Sequence, residues 1–309
     1  MTPTQAQNDR TTAIPPATRL GHVHLTVANL ERQMQFYIRV LGFTLHWQNG
    51  SEAGLGTQSE VLLRLSEEPG AQRLQNTTGM YHFAILYPSR KELARAIARL
   101  FALNYPNYPT DHGISKTTYL DDPEGNNIEL YVRSLDDAVF EVVNGQMRVR
   151  YADGRMGSGR DPLDLQALFS ELDEGEPLDL PLPQGACIGH LHLYASSLEA
   201  SMNFYAGVLG FQEGPLITGF RMGEVGLDEL QPHVIAFNTW KGANVSAAPA
   251  NALGMRYFTI VLPTAEALQQ TVARVQAAGL AARQTPGGFT LQDPSQINLF
   301  LTAPDLTGL

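Results

Sequence analysis

Apolar and polar positions alternate through short stretches of this chain, and each stretch is followed by a longer one of helical period. HVHLTV, residues 22–27, alternates and predicts a strand. Leu30, Met34, Phe36, Tyr37 and Val40 then form an apolar stripe that predicts a helix over roughly 30–40. Asn29 stands where it can cap that helix and Gly42 where it can end it. Extended patterns return at FTLHW (43–47) and VLLRL (61–65). A second unit repeats the order. HFAILYP reads as a strand, SRKELARAIARLFAL as a helix, and TTYL and NIELYV as strands joined by the turn DDPEGN. Strand, helix, then several strands, twice over, predicts an α+β fold.

The pattern recurs further along. Residues 21–43 and 189–211 match at an offset of 168, with 13 of 23 positions identical, which is far beyond chance for an ungapped window. GMYHFAILYPSRKEL (79–93) matches GMRYFTIVLPTAEAL (254–268) at 6 of 15 positions. The halves also end alike, in YLDDPEGNNIELYV (119–132) and LQDPSQINLFLTA (291–303). The expected organisation is therefore a flexible tail (1–18), a first domain (19–133), a connector (134–186), a second domain (187–303) and a short tail (304–309). Within the connector, FEVVNGQMRVRY predicts a hairpin with an Asn-Gly turn, and a short helix is expected near 163–172.

Charge and composition narrow the function classes. The chain of 309 residues carries 21 Lys+Arg and 31 Asp+Glu, a net −10, so nucleic acid is not an expected partner. No stretch approaches 18 uninterrupted apolar residues, so no membrane span is expected. The N-terminal residues lack an apolar core of the secretory kind, and a cytoplasmic protein is expected. Cys187 is the single cysteine, which excludes an intramolecular disulfide and a cysteine-based zinc site. Seven of the acids lie between 161 and 186, where there is no Lys or Arg. That takes −10 to −3 and is expected to be a solvated surface.

His22 opens the first strand of unit one, His82 opens that of unit two, and Glu129 lies in the last strand of unit two. Two imidazoles and a carboxylate are the donor set of a facial triad, which leaves three cis positions open on a divalent metal, typically Fe(II). His24 lies two residues from His22 on one strand face, so either could be the ligand, and the other could line the pocket. Against these readings stand ordinary ones: single histidines on strands are most often hydrogen-bonded structural residues, and a strand glutamate is often solvated.

At these residues the chain resembles the vicinal oxygen chelate superfamily of glyoxalase I, bleomycin-resistance proteins and type I extradiol ring-cleavage dioxygenases. The resemblance rests on G-H-x-x-L-x-V-x-x-L…FY…VLGF and on D-P-x-G-N-x-x-E-L, and covers nearly all of 19–132 and 187–303. It implies four βαβββ modules paired into two homologous domains, most like catechol 2,3-dioxygenase-like proteins. Carried over residue by residue, it implies His22, His82 and Glu129 as metal ligands and His112 and Tyr119 as catalytic residues. The register of the pattern favours His22 over His24, which then lines the pocket. The implied metal is Fe(II), with Mn, Ni or Zn as alternatives. The implied partners are a small aromatic diol and O2, and related folds often pair as homo-oligomers.

The second half departs from the pattern. His190 matches His22, but Tyr257 stands for His82 and Phe300 for Glu129, so the second half is expected to support rather than bind metal. His192 and His233 are expected to be structural. The acid–base histidine that such enzymes place shortly before the second metal histidine is missing from 60–81. Two other functions remain in view. A glyoxalase-like lyase or isomerase would need a second carboxylate, whereas VLLRL offers Arg64. A non-enzymatic binder of the bleomycin-resistance type would need no triad.

Overall fold

A computed structural model describes residues 13–143 and 146–304. Four modules follow one another. The first comprises β1 (Arg19–Val27), α1 (Leu30–Arg39), β2 (Thr44–Asn49), β3 (Glu52–Gly56) and β4 (Val61–Glu67). The second comprises β5 (Gly79–Leu86), α2 (Arg90–Ala102), β6 (Tyr108–Asp111), β7 (Ser115–Asp121) and β8 (Asn127–Arg133). The connector holds β9 (Ala138–Val143), β10 (Gln146–Tyr151), β11 (Met156–Gly157), β12 (Asp161–Pro162) and α3 (Leu165–Phe169). The third module comprises β13 (Cys187–Tyr194), α4 (Leu198–Met202) running into a π-helical turn, β14 (Gln212–Ile217), β15 (Met222–Gly226) and β16 (Ile235–Asn238). The fourth comprises β17 (Gly254–Val261), α5 (Ala265–Ala277), β18 (Arg283–Thr285), β19 (Gly288–Gln292) and β20 (Asn298–Thr302).

Each module helix starts the same way. Asn29, Ser89, Ser197 and Thr264 are extended, and each side-chain oxygen accepts the N–H three residues on, at 2.8, 3.2, 3.2 and 3.1 Å. The buried face of α1, with Leu30, Met34, Phe36 and Tyr37, is the stripe read from the sequence. Gly42 ends that helix in the left-handed region, at φ +77°.

The modules combine across the repeat. One eight-stranded sheet runs β18-β19-β20-β17-β1-β4-β3-β2, which joins the fourth module to the first. The other, nine-stranded, runs β12-β6-β7-β8-β5-β13-β16-β15-β14 and joins the second to the third. Four modules do pair in twos, but the partners are not the sequence neighbours that the division at 133 and 187 implies. Sequence repetition shows which modules are equivalent. Which strand edges meet is a choice made by tertiary packing.

Two smaller expectations also change. Ile14, placed in the N-terminal tail, is buried and donates its N–H to Gly210 O at 2.8 Å, because an apolar side chain finds a place in the core. The connector acids are not simply solvated: Lys91 on α2 pairs with Asp173 at 2.6 Å and Glu176 at 2.9 Å, and Arg95 also grips Glu176. The Asn-Gly turn of the hairpin lies outside the described residues, while β9 and β10 on either side of it pair antiparallel.

Candidate metal centre

The nine-stranded sheet sets the site by register. Beside β5, β8 runs parallel with Glu129 opposite Ala84, and β13 runs antiparallel with His190 opposite Ala84 and His192 opposite His82. His190, Ala84 and Glu129 thus form a row across three strands, and His82 lies two residues along on the same face. Ala84 carries only a methyl group, which leaves room above it for longer side chains on either side.

Three donor atoms converge there. His82 Nε2 and His190 Nε2 are 3.2 Å apart, Glu129 Oε2 is 3.2 Å from the first and 3.0 Å from the second. All three side chains are buried, and they are the set among the described residues that could hold a metal ion. Cis ligands of an octahedral ion with bonds of about 2.1 Å lie roughly 3.0 Å apart, so the spacing fits a divalent metal on three protein atoms.

The electrostatics agree with the spacing. Burial pulls His82 down to about 3 against the pull of Glu129, and it lowers His190 as well, so both imidazoles stay neutral. Burial alone would raise Glu129, but His190 and His82 outweigh it and hold the carboxyl well below its usual range. Among the described residues Glu129 has no Lys or Arg ion-pair partner. Two neutral imidazoles and one buried carboxylate are the protonation state a metal requires of its ligands.

Aromatic rings hold the ligands in place. Tyr131 and His233 lie against His190 at ring distances of 4.8 and 4.4 Å, and Tyr119 lies 5.6 Å from His82. Gly189 makes room for this: a Cβ there would fall 2.1 Å from the Tyr131 hydroxyl. Tyr119 stands opposite Glu129 on β7, and its hydroxyl is 2.8 Å from His112 Nε2. Burial, with Glu129 adding to it, pushes the Tyr119 hydroxyl well above its ordinary value. The connector fixes His112 from behind, since its Nδ1 donates to Gly159 O. His233 Nδ1 is bound to Glu224, whose carboxylate holds the imidazole above the usual range although burial opposes it. His192 accepts from Asn238 Nδ2 at 2.8 Å and packs on Trp240 and Tyr81.

His22 does not join this set. It lies on β1 in the other sheet, 3.2 Å from the Tyr257 hydroxyl, because β1 pairs with β17 and β4 and not with β5. His24 is there too, bonded to Ser66 Oγ at 2.7 Å. The register place that Glu129 fills in the second module is filled by Arg64, Ala236 and Phe300 in the first, third and fourth. The eight-stranded sheet thus presents Tyr257, His22 and Arg64 where its counterpart presents His190, His82 and Glu129. His190, read as unable to bind metal alone, has its partners in the preceding half. The clue was present in the H-x-H at its strand head, but the pairing of modules within each half hid it. His233, expected to be structural, lies against His190 in the same third module, at a ring distance of 4.4 Å.

Comparison with known proteins is consistent with this architecture. Residues 19–130 and 187–297 match the Glyoxalase/Bleomycin resistance protein/Dioxygenase superfamily. A catechol-2,3-dioxygenase of Bacillus subtilis (strain 168) is 36% identical over 286 residues, spanning 92% of this chain and 96% of the relative. A biphenyl-2,3-diol 1,2-dioxygenase 3 of Rhodococcus globerulus is 31% identical over 158 residues, spanning 49% of this chain and 82% of that protein. Among solved structures, a putative dioxygenase of Bacillus subtilis superposes with a TM-score of 0.61 at 12% identity, over 92% of this chain and 84% of that one. Glyoxalase I of Zea mays superposes with 0.57 at 16% identity, over 93% and 92%. These two structural likenesses concern the fold. On the domain matches and the full-length relative, the chain belongs to the Glyoxalase/Bleomycin resistance protein/Dioxygenase superfamily and is an enzyme of its dioxygenase kind.

Proposed function

We propose that the protein cleaves the ring of a catechol-like aromatic diol beside its two hydroxyls, with Fe(II) held by His82, His190 and Glu129. The observation that carries this reading is the mutual 3.0–3.2 Å spacing of the three buried donor atoms. With three protein ligands, a bound metal would supply open positions at which a diol and O2 are brought together. The rest is the work of this chain's side chains. Tyr119, next to Glu129, offers its hydroxyl to a substrate oxygen on one side of the site. His112 Nε2 backs that hydroxyl and can take or return its proton. His233, anchored by Glu224 beside His190, brings a second imidazole to the opposite side. Tyr81, Trp240 and His192 form an aromatic wall that orients a flat ring and keeps water out.

A glyoxalase-like reaction needs a fourth protein ligand, conventionally a second carboxylate. The matching position on β16 is Ala236, so the site has no such group. The test of the proposal is anaerobic loading with Fe(II), then catechol and air. A yellow ring-fission product is expected. Iron-loaded protein that leaves a panel of catechols unchanged would rule the reading out, and stoichiometric Ni or Zn with lyase turnover would favour the glyoxalase one.

A further inference from the structure

Beside the face that carries the three ligands lies a cleft of about 420 Å³, within the range of small-molecule sites. Asp121 and Asn127 line it, each two residues along its strand from Tyr119 and Glu129 and so on the same face. Tyr81 lines it as well. A register shift between β5 and β13 turns its ring onto His82 at 4.9 Å, His192 at 5.1 Å and Tyr194 at 5.3 Å. The cleft therefore borders the ligand face at Tyr81, Asp121 and Asn127, with the Tyr81 ring between it and His82.

Its charge is the reverse of the molecule's. The chain carries a net −10, yet Arg73, Lys241 and Arg256 all line this cleft, against the single carboxylate of Asp121. Asp121 is engaged by Asn127 Nδ2 at 2.8 Å. Among the described residues none of the three cations takes part in an ion pair. Arg73 is positioned by Glu124 O at 3.0 Å and Asn126 Oδ1 at 2.7 Å, both neutral acceptors that fix the guanidinium without neutralising it. Lys241 rests 5.1 Å over the Tyr194 ring. Asn127 Oδ1 is buried in this wall without a partner. Arg73 and Lys241, partly buried and without an ion pair in an acidic protein, mark a place for an anion.

We propose that the substrate is an aromatic diol bearing a carboxylate side chain, its diol on the His82, His190 and Glu129 face and its carboxylate in the cleft against Arg73 and Lys241. This rests on the ring-cleavage reading and adds the substrate class. Tyr81 and Tyr194 supply the flat surfaces along which the connecting part of such a molecule lies.

The test compares a carboxymethyl catechol with its methyl ester, in both ring isomers, on Fe(II)-loaded protein. The acid is expected to exceed the ester in kcat/KM by roughly tenfold or more, as a charge-assisted contact implies. Added salt should shrink that ratio. The pair of substitutions Arg73→Gln and Lys241→Gln should bring it close to one, and ester turnover in the same variant shows that the protein is folded and loaded. Equal handling of acid and ester by the unaltered protein, while plain catechol is cleaved, overturns the proposal and leaves the ring-cleavage reading standing. If no diol is cleaved, that reading has failed, and calorimetry of the two compounds without oxygen decides the cleft. Tighter binding of the acid, lost in the double variant, supports an anion site, and equal binding removes it.

Discussion

Tyr37 and Tyr205 are fully buried, and each donates its hydroxyl to a buried aspartate at 3.0 Å, Asp122 and Asp293 respectively. The FY and DP motifs are therefore one structural device, a helix of one module tied to the turn of the next. Asp293 also accepts the N–H groups of Ser295 and Ile297, yet burial still lifts it to about 6. A carboxyl raised in the folded state binds protons that the unfolded chain has already released. Its contribution to stability is thus greatest below about pH 4 and is lost as pH rises toward 6. The rise from 3.8 to about 6 amounts to about 2–3 kcal/mol. Asp293→Asn should abolish that part of the pH dependence, and denaturant unfolding at pH 4 and pH 7 measures it. Parallel losses in both proteins would contradict the assignment. Tyr205→Phe should cost about 1–3 kcal/mol in the same assay, since it leaves an acceptor buried without its donor. At the metal site the contrast is sharper. His190→Ala should strip bound iron, whereas His22→Ala should keep it, as read by metal analysis of each purified variant.

Among the elements, β5 matters most to the site, because it is the strand to which both β8 and β13 attach. Its neighbour β13 can approach closely because Gly189 has no side chain. In Gly189→Ala the new methyl group overlaps the Tyr131 hydroxyl, whose ring lies against His190. Overpacking of this kind costs about 1–3 kcal/mol, and here the displaced ring is one that packs on a proposed metal ligand. Iron affinity should fall well beyond what the loss of stability explains, as a titration with a competing chelator would show. Unchanged affinity would mean that Tyr131 does not position His190. The helices and their caps were legible in the sequence, since apolar spacing and a capping Asn, Ser or Thr act over a few residues. The turn of Tyr81 into the site was not, because it comes from a register shift between strands over a hundred residues apart in the chain.

At the scale of the molecule, the site belongs to neither half of the repeat. Its sheet is shared by modules two and three, with His82 and Glu129 from one and His190 from the other. A fragment ending at residue 133 should therefore bind no iron at the site, and neither should one starting at 187, while co-expression of the two should restore binding. Iron held stoichiometrically by the first fragment alone would overturn this arrangement. Residue types and local periodicity were enough to read the α+β modules and their fourfold repetition, the resemblance of the motifs gave the superfamily, and His82 and Glu129, two of the three proposed donors, were among the candidates. Those properties depend on near neighbours in the chain. The third donor, the neighbourhood of His233 and the cationic cleft depend on which strand edges pair and in what register. Equivalent modules offer equivalent edges, so the repeat allows β5 more than one partner, and packing of the whole chain selects β13.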